Sequence, residues 1–185
     1  MKHEHHPLEG RRIDSVLDRL AIGMAEDCAR FSLRIDAEGL AVAGKAFGCE
    51  LPSAIGAMRA SGGRFAICLG PDEWQLFAPS SEAEGIDQRF AALYAGLPHS
   101  LVDVGHRDVG IEISGEAAAL ALASACALDL EAMPSGTATR TIFDKAQIVL
   151  IRHDEQHFRI EVWRSFASHV WAILEAASRE VSLGM

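Results

Sequence analysis

The chain has 185 residues, with 17 Lys+Arg against 26 Asp+Glu, so its formal net charge is −9 at pH 7. This length suits one domain with a sizeable core, and 49% hydrophobic with 23% charged residues is typical of a globular chain. The acidic balance argues against binding to nucleic acid or an anionic membrane, because both need basic patches. No apolar run approaches the roughly 20 residues that span a bilayer, and no apolar segment follows the first residues as a secretory signal requires.

The N-terminal residues 1–24 are predicted to be a tail or a short helix, ahead of a single domain over 25–185. His3, His5 and His6 could bind a metal, but a short His-rich segment ahead of a fold is more often a frayed terminus. We therefore predict no metal site. The cysteines occur singly, without C-x-x-C spacing, which favours structural thiols in a reducing cytoplasm; they are Cys28, Cys49, Cys68 and Cys126.

The first half of the domain predicts a strand over 29–35, because Phe31, Leu33 and Ile35 alternate with polar residues. A helix is predicted next, with Asp36 as its N-cap and an end at about Phe47, closed by Gly48. The other predicted elements of this half are a strand at 64–69, a hairpin partner at 74–78 and a helix at about 81–95.

The second half predicts the same kinds of element. Val109, Ile111 and Ile113 alternate with polar residues, and Ser114 is predicted to cap a helix that runs to about Cys126. The remaining predictions are a short strand at 101–104, an insert at 128–145 with an extra strand at 137–143, hairpin strands at 146–152 and 157–163, and a closing helix capped by Ser165.

The two halves correspond in sequence, since Val109 lies 78 positions after Phe31 and the same shift places Asp36 on Ser114. We therefore predict pseudo-repeats over about 29–95 and 101–180, each reading strand–helix–strand–strand–helix. The predicted fold class is α+β, with two similar units that each bury one sheet face under helices and that pack as one body.

Two motifs suggest catalysis, but the residues beside each of them do not fit the catalytic pattern. Gly39, Gly44 and Lys45 match a phosphate-binding loop, but Ala46 stands where Ser or Thr should hold Mg²⁺, and the segment reads as a helix. Ser114 lacks the flanking glycines of a hydrolase nucleophile. We predict no catalytic residue and no cofactor-binding residue in this chain.

Other polar residues have plain structural interpretations. Asp103, His106, Arg107 and Asp108 form the densest polar cluster, which we interpret as a charged turn rather than as converging acid–base groups. The histidines at 153 and 157 are predicted to flank a hairpin turn as exposed polar residues and not to bind a metal.

A protein interface is the one functional surface that the residue types favour. Arg140 lies between two threonines, and Arg164 follows Trp163, a composition enriched where proteins bind each other. We name Arg107, Arg140, Trp163 and Arg164 as the candidate partner interface. The alternative, in which an arginine stem covers an apolar wall, is equally consistent with the sequence.

Several ordered segments together resemble the gamma subunit of heterotetrameric sarcosine oxidase, over nearly the whole chain after the first two dozen residues. One departure is Ala127, where the family pattern has proline before Leu-Asp-Leu. The segments are 69–74, 102–115, 128–130, 139–141, 145–150 and 158–167.

This resemblance implies a non-catalytic accessory subunit with a fold similar to the folate-binding aminomethyltransferase superfamily. The family's complex converts sarcosine, oxygen and tetrahydrofolate to glycine, hydrogen peroxide and 5,10-methylenetetrahydrofolate. The resemblance also implies that this chain has the alpha, beta and delta subunits as partners, and that it contacts alpha most directly. Flavins, NAD, folate and zinc are then expected in those subunits and not in this chain.

Two other interpretations stay open at this point. A stand-alone folate-binding or aminomethyltransferase-like protein would need a carboxylate to meet the pterin, and Asp103 and Glu112 are the candidates. A chain without its partners could also bury the same apolar surface in a homo-oligomer.

Overall fold

A computed structural model describes residues 6–14 and 19–183 and shows the predicted α+β fold. Within those residues there are two sheets and four α-helices, with single-turn 3-10 helices at Ala37–Gly39 and Ser80–Glu82. The helices are α1 (Leu40–Phe47), α2 (Ala83–Leu93), α3 (Ala118–Ala123) and α4 (Arg164–Ser182). The strands are β1 (Arg12–Asp14), β2 (Ala21–Met24), β3 (Cys28–Ile35), β4 (Met58–Ser61), β5 (Arg64–Gly70), β6 (Glu73–Pro79), β7 (His99–Asp103), β8 (Asp108–Ser114), β9 (Thr137–Phe143), β10 (Ala146–Arg152) and β11 (His157–Trp163).

The chain divides into two compact units that are each discontinuous in sequence. Unit 1 holds the described residues up to 26, together with 107–135 and 140 onward, and unit 2 holds 27–106 and 136–139. Each unit has its own apolar core between a sheet and two helices.

Unit 2 contains a five-stranded sheet in the order β4-β5-β6-β3-β7. Its core takes Phe31, Leu33 and Ile35 from one face of β3, as the alternation predicts, and packs them against α1 and α2. Helix α1 ends where the sequence predicts, because Gly48 adopts φ +84°, a left-handed conformation that favours glycine.

Unit 1 contains a six-stranded sheet in the order β1-β2-β8-β11-β10-β9. Val109, Ile111 and Ile113 of β8 face the core, where Val170 and Leu174 of α4 are buried against them. The long amphipathic helix that the sequence predicts at the C-terminal end is therefore present and covers this sheet.

The N-terminal segment is the first correction. In place of a tail or short helix, the described part of 1–24 contains β1 and β2, and β2 pairs with β8 so that Ile22 lies opposite Ile113. Leu8, Leu20 and Ile22 are buried. Strands this short carry too few alternating residues to be recognised. Strand β2 is stabilised by pairing with β8, and β1 by pairing with β2.

The predicted helix caps are the second correction. Ser114 is the last residue of β8, and the amide of Ala117 at the start of α3 donates to the carbonyl of Arg19 at 3.0 Å. Ser165 lies inside α4, whose first amide, that of Arg164, donates to the carbonyl of Arg107 at 2.7 Å. Neither serine therefore occupies an N-cap position, and carbonyls distant in sequence accept hydrogen bonds from amides at the N-terminal ends of both helices.

The two sheets have corresponding strand orders, β4-β5-β6-β3 in unit 2 and β9-β10-β11-β8 in unit 1. Strand β9, which the sequence analysis treats as part of an insert, therefore has the counterpart β4. Strand β4 escaped prediction because it is short, polar and largely exposed. An origin by duplication stays a prediction. Among the described residues, no helix is long and apolar enough to cross a membrane.

Candidate partner-binding site

Three of the four predicted interface residues come together at one end of the β8–β11 pair in unit 1. Trp163, the last residue of β11, lies opposite Asp108, the first residue of β8. The Arg107 guanidinium carbon lies 5.9 Å from the centroid of the Trp163 ring, and the Arg164 amide binds the Arg107 carbonyl. We call Arg107, Asp108, Trp163 and Arg164 the Trp163 corner.

The Trp163 corner holds an exposed aromatic ring in a defined position. Trp163 is 46% exposed, which is unusual for a side chain of its size. The Nε of Arg107 donates to Oδ1 of Asp108 at 3.1 Å, and the Asp108 side chain is only 8% exposed. This contact orients the guanidinium beside the ring, so the aromatic and the cation form one preorganised surface.

Arg140 is not part of the Trp163 corner. It lies on β9, and β10 separates that strand from β11 in the sheet. Its side chain is exposed. The structure therefore brings Arg107, Trp163 and Arg164 together and leaves Arg140 at the edge of the same sheet.

A polar network on the same strand pair, with Arg159 and Glu161 buried and His157 and Glu112 partly exposed, was missed by the sequence analysis. Arg159 lies opposite Glu112, and its Nη1 donates to Glu112 Oε1 at 3.3 Å. Its Nε donates to Glu161 Oε1 at 2.6 Å, and the Glu161 side chain is 1% exposed. His157 Nε2 and Glu112 Oε2 lie 2.7 Å apart. These four residues are the polar network of unit 1.

Gly110 is the one feature of the sequence from which this network could have been predicted. A Cβ on Gly110 would lie 2.6 Å from the Cβ of Ala25 and 2.9 Å from Oε1 of Glu161. A glycine inside a regular strand often marks such a close approach. Alternating charges on β11 resemble a solvated face, so only Gly110 distinguishes a buried face from an exposed one.

His153 and His157 flank the β10–β11 hairpin turn, as predicted, with ring centroids 4.8 Å apart, but both are partly buried and not exposed. Burial lowers the pKa of His153, and the charges of His157 and Arg159 lower it further, while Glu112 and Asp154 oppose the shift. Among the described residues, no group of three His, Cys, Asp or Glu side chains is placed to hold a metal.

His3 and His5 lie outside the described residues. His6 accepts a hydrogen bond at Nδ1 from the amide of Leu8, at 3.1 Å.

The carboxylates nominated for folate binding are each engaged within their own unit. Asp103 accepts a hydrogen bond from the Gly105 amide at 2.8 Å. Of the predicted charged turn, His106 and Arg107 lie in a turn, whereas Asp103 ends β7 and Asp108 begins β8. Glu112 belongs to the polar network. The stretch that resembles a phosphate-binding loop is helix α1, also as predicted.

Comparison with known proteins gives a consistent set of similarities. Residues 34–180 match the model of the sarcosine oxidase, gamma subunit family. The sarcosine oxidase subunit gamma of Arthrobacter sp. is 31% identical over 140 residues, which cover 73% of this chain and 68% of the relative.

Solved structures show the same similarity. A chain of heterotetrameric sarcosine oxidase from Corynebacterium sp. U-96 matches with a TM-score of 0.81 and 27% identity, over 88% of this chain and 85% of that one. The glycine cleavage system aminomethyltransferase T of Bartonella henselae matches with a TM-score of 0.62 and 13% identity, over 83% of this chain and 44% of that one. The second match shows a shared fold only.

Proposed function

This chain belongs to the sarcosine oxidase gamma subunit family, and we propose that it is the accessory gamma-type subunit of a heterotetrameric sarcosine oxidase. The match to a chain of a heterotetrameric enzyme supports this assignment. Its function is then to bind a larger partner and to support the assembly of the complex.

The observation that carries the proposed contact is the Trp163 corner. Tryptophan and arginine dominate the binding energy of protein interfaces, above all where they are held in place before binding. Trp163 is exposed, and Arg107 is fixed beside it by Asp108. Arg140, at the edge of the same sheet, is proposed as a second contact.

Membership of this family suggests how partners and cofactors are distributed among the subunits of the complex. We propose that the large alpha subunit is the most direct partner, with beta and delta completing the complex in sarcosine catabolism. The flavins, NAD, folate and zinc would lie in those subunits, and this chain would supply no catalytic residue. A cytoplasmic location belongs to the same proposal and agrees with the four free cysteines.

Co-expression with the subunits encoded by neighbouring genes tests the assignment. We expect this chain to co-elute with an alpha-like subunit on size exclusion. A chain that never co-elutes with that subunit, although both are folded, would contradict the proposal.

A matched pair of variants tests the contact surface. Trp163→Ala removes the exposed ring of the corner, and Tyr94→Ala removes a ring that is 65% exposed in unit 2. We expect Trp163→Ala to weaken binding of the partner about 30-fold, the effect of losing roughly 2 kcal/mol at a hot spot, and Tyr94→Ala to leave it unchanged. Arg140→Ala, measured in the same way, tests the second contact.

Two results would point elsewhere. If Trp163→Ala changes only the oligomeric state of the isolated chain, the corner is an interface between copies. If the isolated chain binds tetrahydrofolate with micromolar affinity in calorimetry, the folate-binding class replaces the accessory role.

A further inference from the structure

A cleft of about 740 Å³ lies in unit 2, and its lining residues are different from those proposed above as the partner contact. Helix α1 forms one side, strand β4 another, and the segment 48–53 closes it between them. The volume falls within the range of roughly 300–1,000 Å³ that is typical of small-molecule sites.

The 48–53 wall of the cleft is held in place by contacts to the rest of unit 2. The indole Nε1 of the buried Trp74 donates to the carbonyl of Pro52 at 2.7 Å. The Cys49 thiol donates to the carbonyl of Arg59 at 3.5 Å. These tethers fix the cleft before any ligand arrives, so binding does not have to order it.

The absence of a side chain at Gly44 permits this wall to lie directly on α1. A Cβ at that position would be 3.2 Å from the carbonyl oxygen of Cys49 and 3.5 Å from the amide nitrogen of Leu51. The glycine that resembled part of a phosphate-binding loop therefore has a steric role in shaping the cleft.

The lining of the cleft carries more positive than negative charge in a chain whose net charge is −9. Lys45 and Arg59 are the cations, and Glu50 is the carboxylate. Both cations are exposed, and neither has an ion-pair partner among the residues that the structure describes. Arg59 donates only to the carbonyl of its neighbour Met58, at 3.1 Å.

Each cation has a local structural role that leaves its charge free. Lys45 lies in the last turn of α1, where a positive charge complements the helix dipole. Arg59 lies on β4 at the end of the sheet, where charge discourages edge-to-edge pairing. Neither role requires the two cations to line one preformed cleft.

We propose that this cleft binds a small organic anion, a carboxylate or phosphate ester with a short apolar body. Lys45 and Arg59 bind the anionic group, and the hydroxyls of Ser53 and Ser61 lie in the same lining. The apolar body packs against Leu40, Leu51 and Pro52, which supply the nonpolar part of the wall. This site is independent of the accessory role proposed above.

Calorimetric titration of the intact chain at constant ionic strength tests the site. The probes are succinate and inorganic phosphate, which separate a carboxylate site from a phosphate site, and succinamide is the uncharged control. We expect one saturable site for at least one of the two anions and no binding of succinamide. Absence of saturable binding by both anions would overturn the proposal.

Variants locate the site. Lys45→Ala and Arg59→Ala should each weaken binding at least tenfold, while Lys45→Arg retains it. Lys145→Ala is the matched control, because Lys145 is the other lysine in the described part of the chain and is exposed on the β9–β10 turn. An equal loss in Lys145→Ala would show a non-specific charge effect.

Hydrogen exchange of the assembled complex tests whether a partner subunit covers the cleft. The cleft segments 40–53 and 58–61 should keep the same exchange in the isolated chain and in the complex. Protection of these segments only in the complex would mean that a partner subunit covers the cleft, and would exclude the small-molecule proposal.

Discussion

At the scale of single residues, Arg159 and Glu161 form a buried ion pair in which each charge compensates the other. Their side chains are 8% and 1% exposed, and Nη2 and Oε1 are 2.5 Å apart. Removing one partner of a buried pair typically costs about 3–5 kcal/mol when the other charge is left without any partner. Arg159 keeps its contact with Glu112 when Glu161 is removed. We therefore expect Glu161→Ala to lower the free energy of unfolding by less, about 1.5–3 kcal/mol for the loss of a charged hydrogen bond, measured by urea denaturation.

A double variant separates the weakened pairing of the buried Arg159 charge from the loss of packing. Arg159→Met with Glu161→Leu removes both charges and keeps apolar volume, while Glu112 retains its contact with His157. The double variant should be more stable than Glu161→Ala alone. Equal or greater destabilisation would show that the Arg159–Glu161 pair contributes by its own attraction and not by compensating the buried Arg159 charge.

His153 predicts a pH dependence of stability. Because burial lowers its pKa in the folded chain, the unfolded chain takes up the proton first as the pH falls below about 6.5. The contribution of neutral His153 to the free energy of unfolding is therefore complete above that pH, and it is lost as the pH falls toward the folded-state pKa. His153→Gln should show a shallower loss over this window in urea denaturation, with the same slope as the parent chain above pH 7.5. Parallel curves through the whole range would contradict the assignment.

Arg152 connects a loop to a hairpin at the scale of structural elements. Its Nη1 donates to the carbonyls of Leu130 at 2.7 Å and Met133 at 2.5 Å, and its Nε donates to the carbonyl of Asp154 at 3.1 Å. The guanidinium also lies 5.2 Å from the centroid of the Phe158 ring. The Arg152 guanidinium thus connects the 130–133 loop to the turn between β10 and β11.

We expect Arg152→Lys to loosen that loop, because an ammonium cannot reproduce the planar fork and keeps fewer donors. Hydrogen exchange within 128–135 should rise, while exchange in the buried part of α4 stays unchanged. An exposed control, Arg179→Lys, replaces an arginine paired only with the neighbouring turn of its helix. Unchanged exchange in the loop would mean that other contacts hold it.

The elements that the sequence predicts well are those with complete periodic patterns. Strands β3 and β8 show three alternating apolar residues each, and α1 has its left-handed glycine at the end. The elements that it misses, β1, β2 and β4, are three or four residues long and depend on the strand beside them. Caps were misplaced for a related reason, since carbonyls distant in sequence satisfy the first amides of α3 and α4.

The candidate site was predictable in its residue types and not in its geometry. A tryptophan beside arginines indicates an interface, yet only the pairing of β8 with β11 shows that Arg107 and Trp163 meet. The same pairing leaves Arg140 on another strand. Pairing register depends on contacts across the sheet, and a single sequence does not reveal them.

At the scale of the whole molecule, the acidic charge and the division into two units bear on different questions. A net charge of −9 disfavours association between copies of this chain. The two units bear on folding, because each is assembled from segments that are far apart in the chain.

This discontinuity predicts that the two units unfold together. The chain passes between the units more than once, and β9 contributes its first residues to unit 2 and its remaining residues to unit 1. Loss of either unit therefore removes part of the chain that the other unit needs, which favours a single cooperative transition.

A variant with one tryptophan measures this directly. In Trp163→Phe with Trp171→Phe, fluorescence reports on Trp74, which is buried in unit 2. Far-ultraviolet circular dichroism of the same protein reports on the helices of both units. We expect both signals to give one urea midpoint. Two separate midpoints would show that the units fold independently, and would contradict the single domain that the sequence predicts over 25–185.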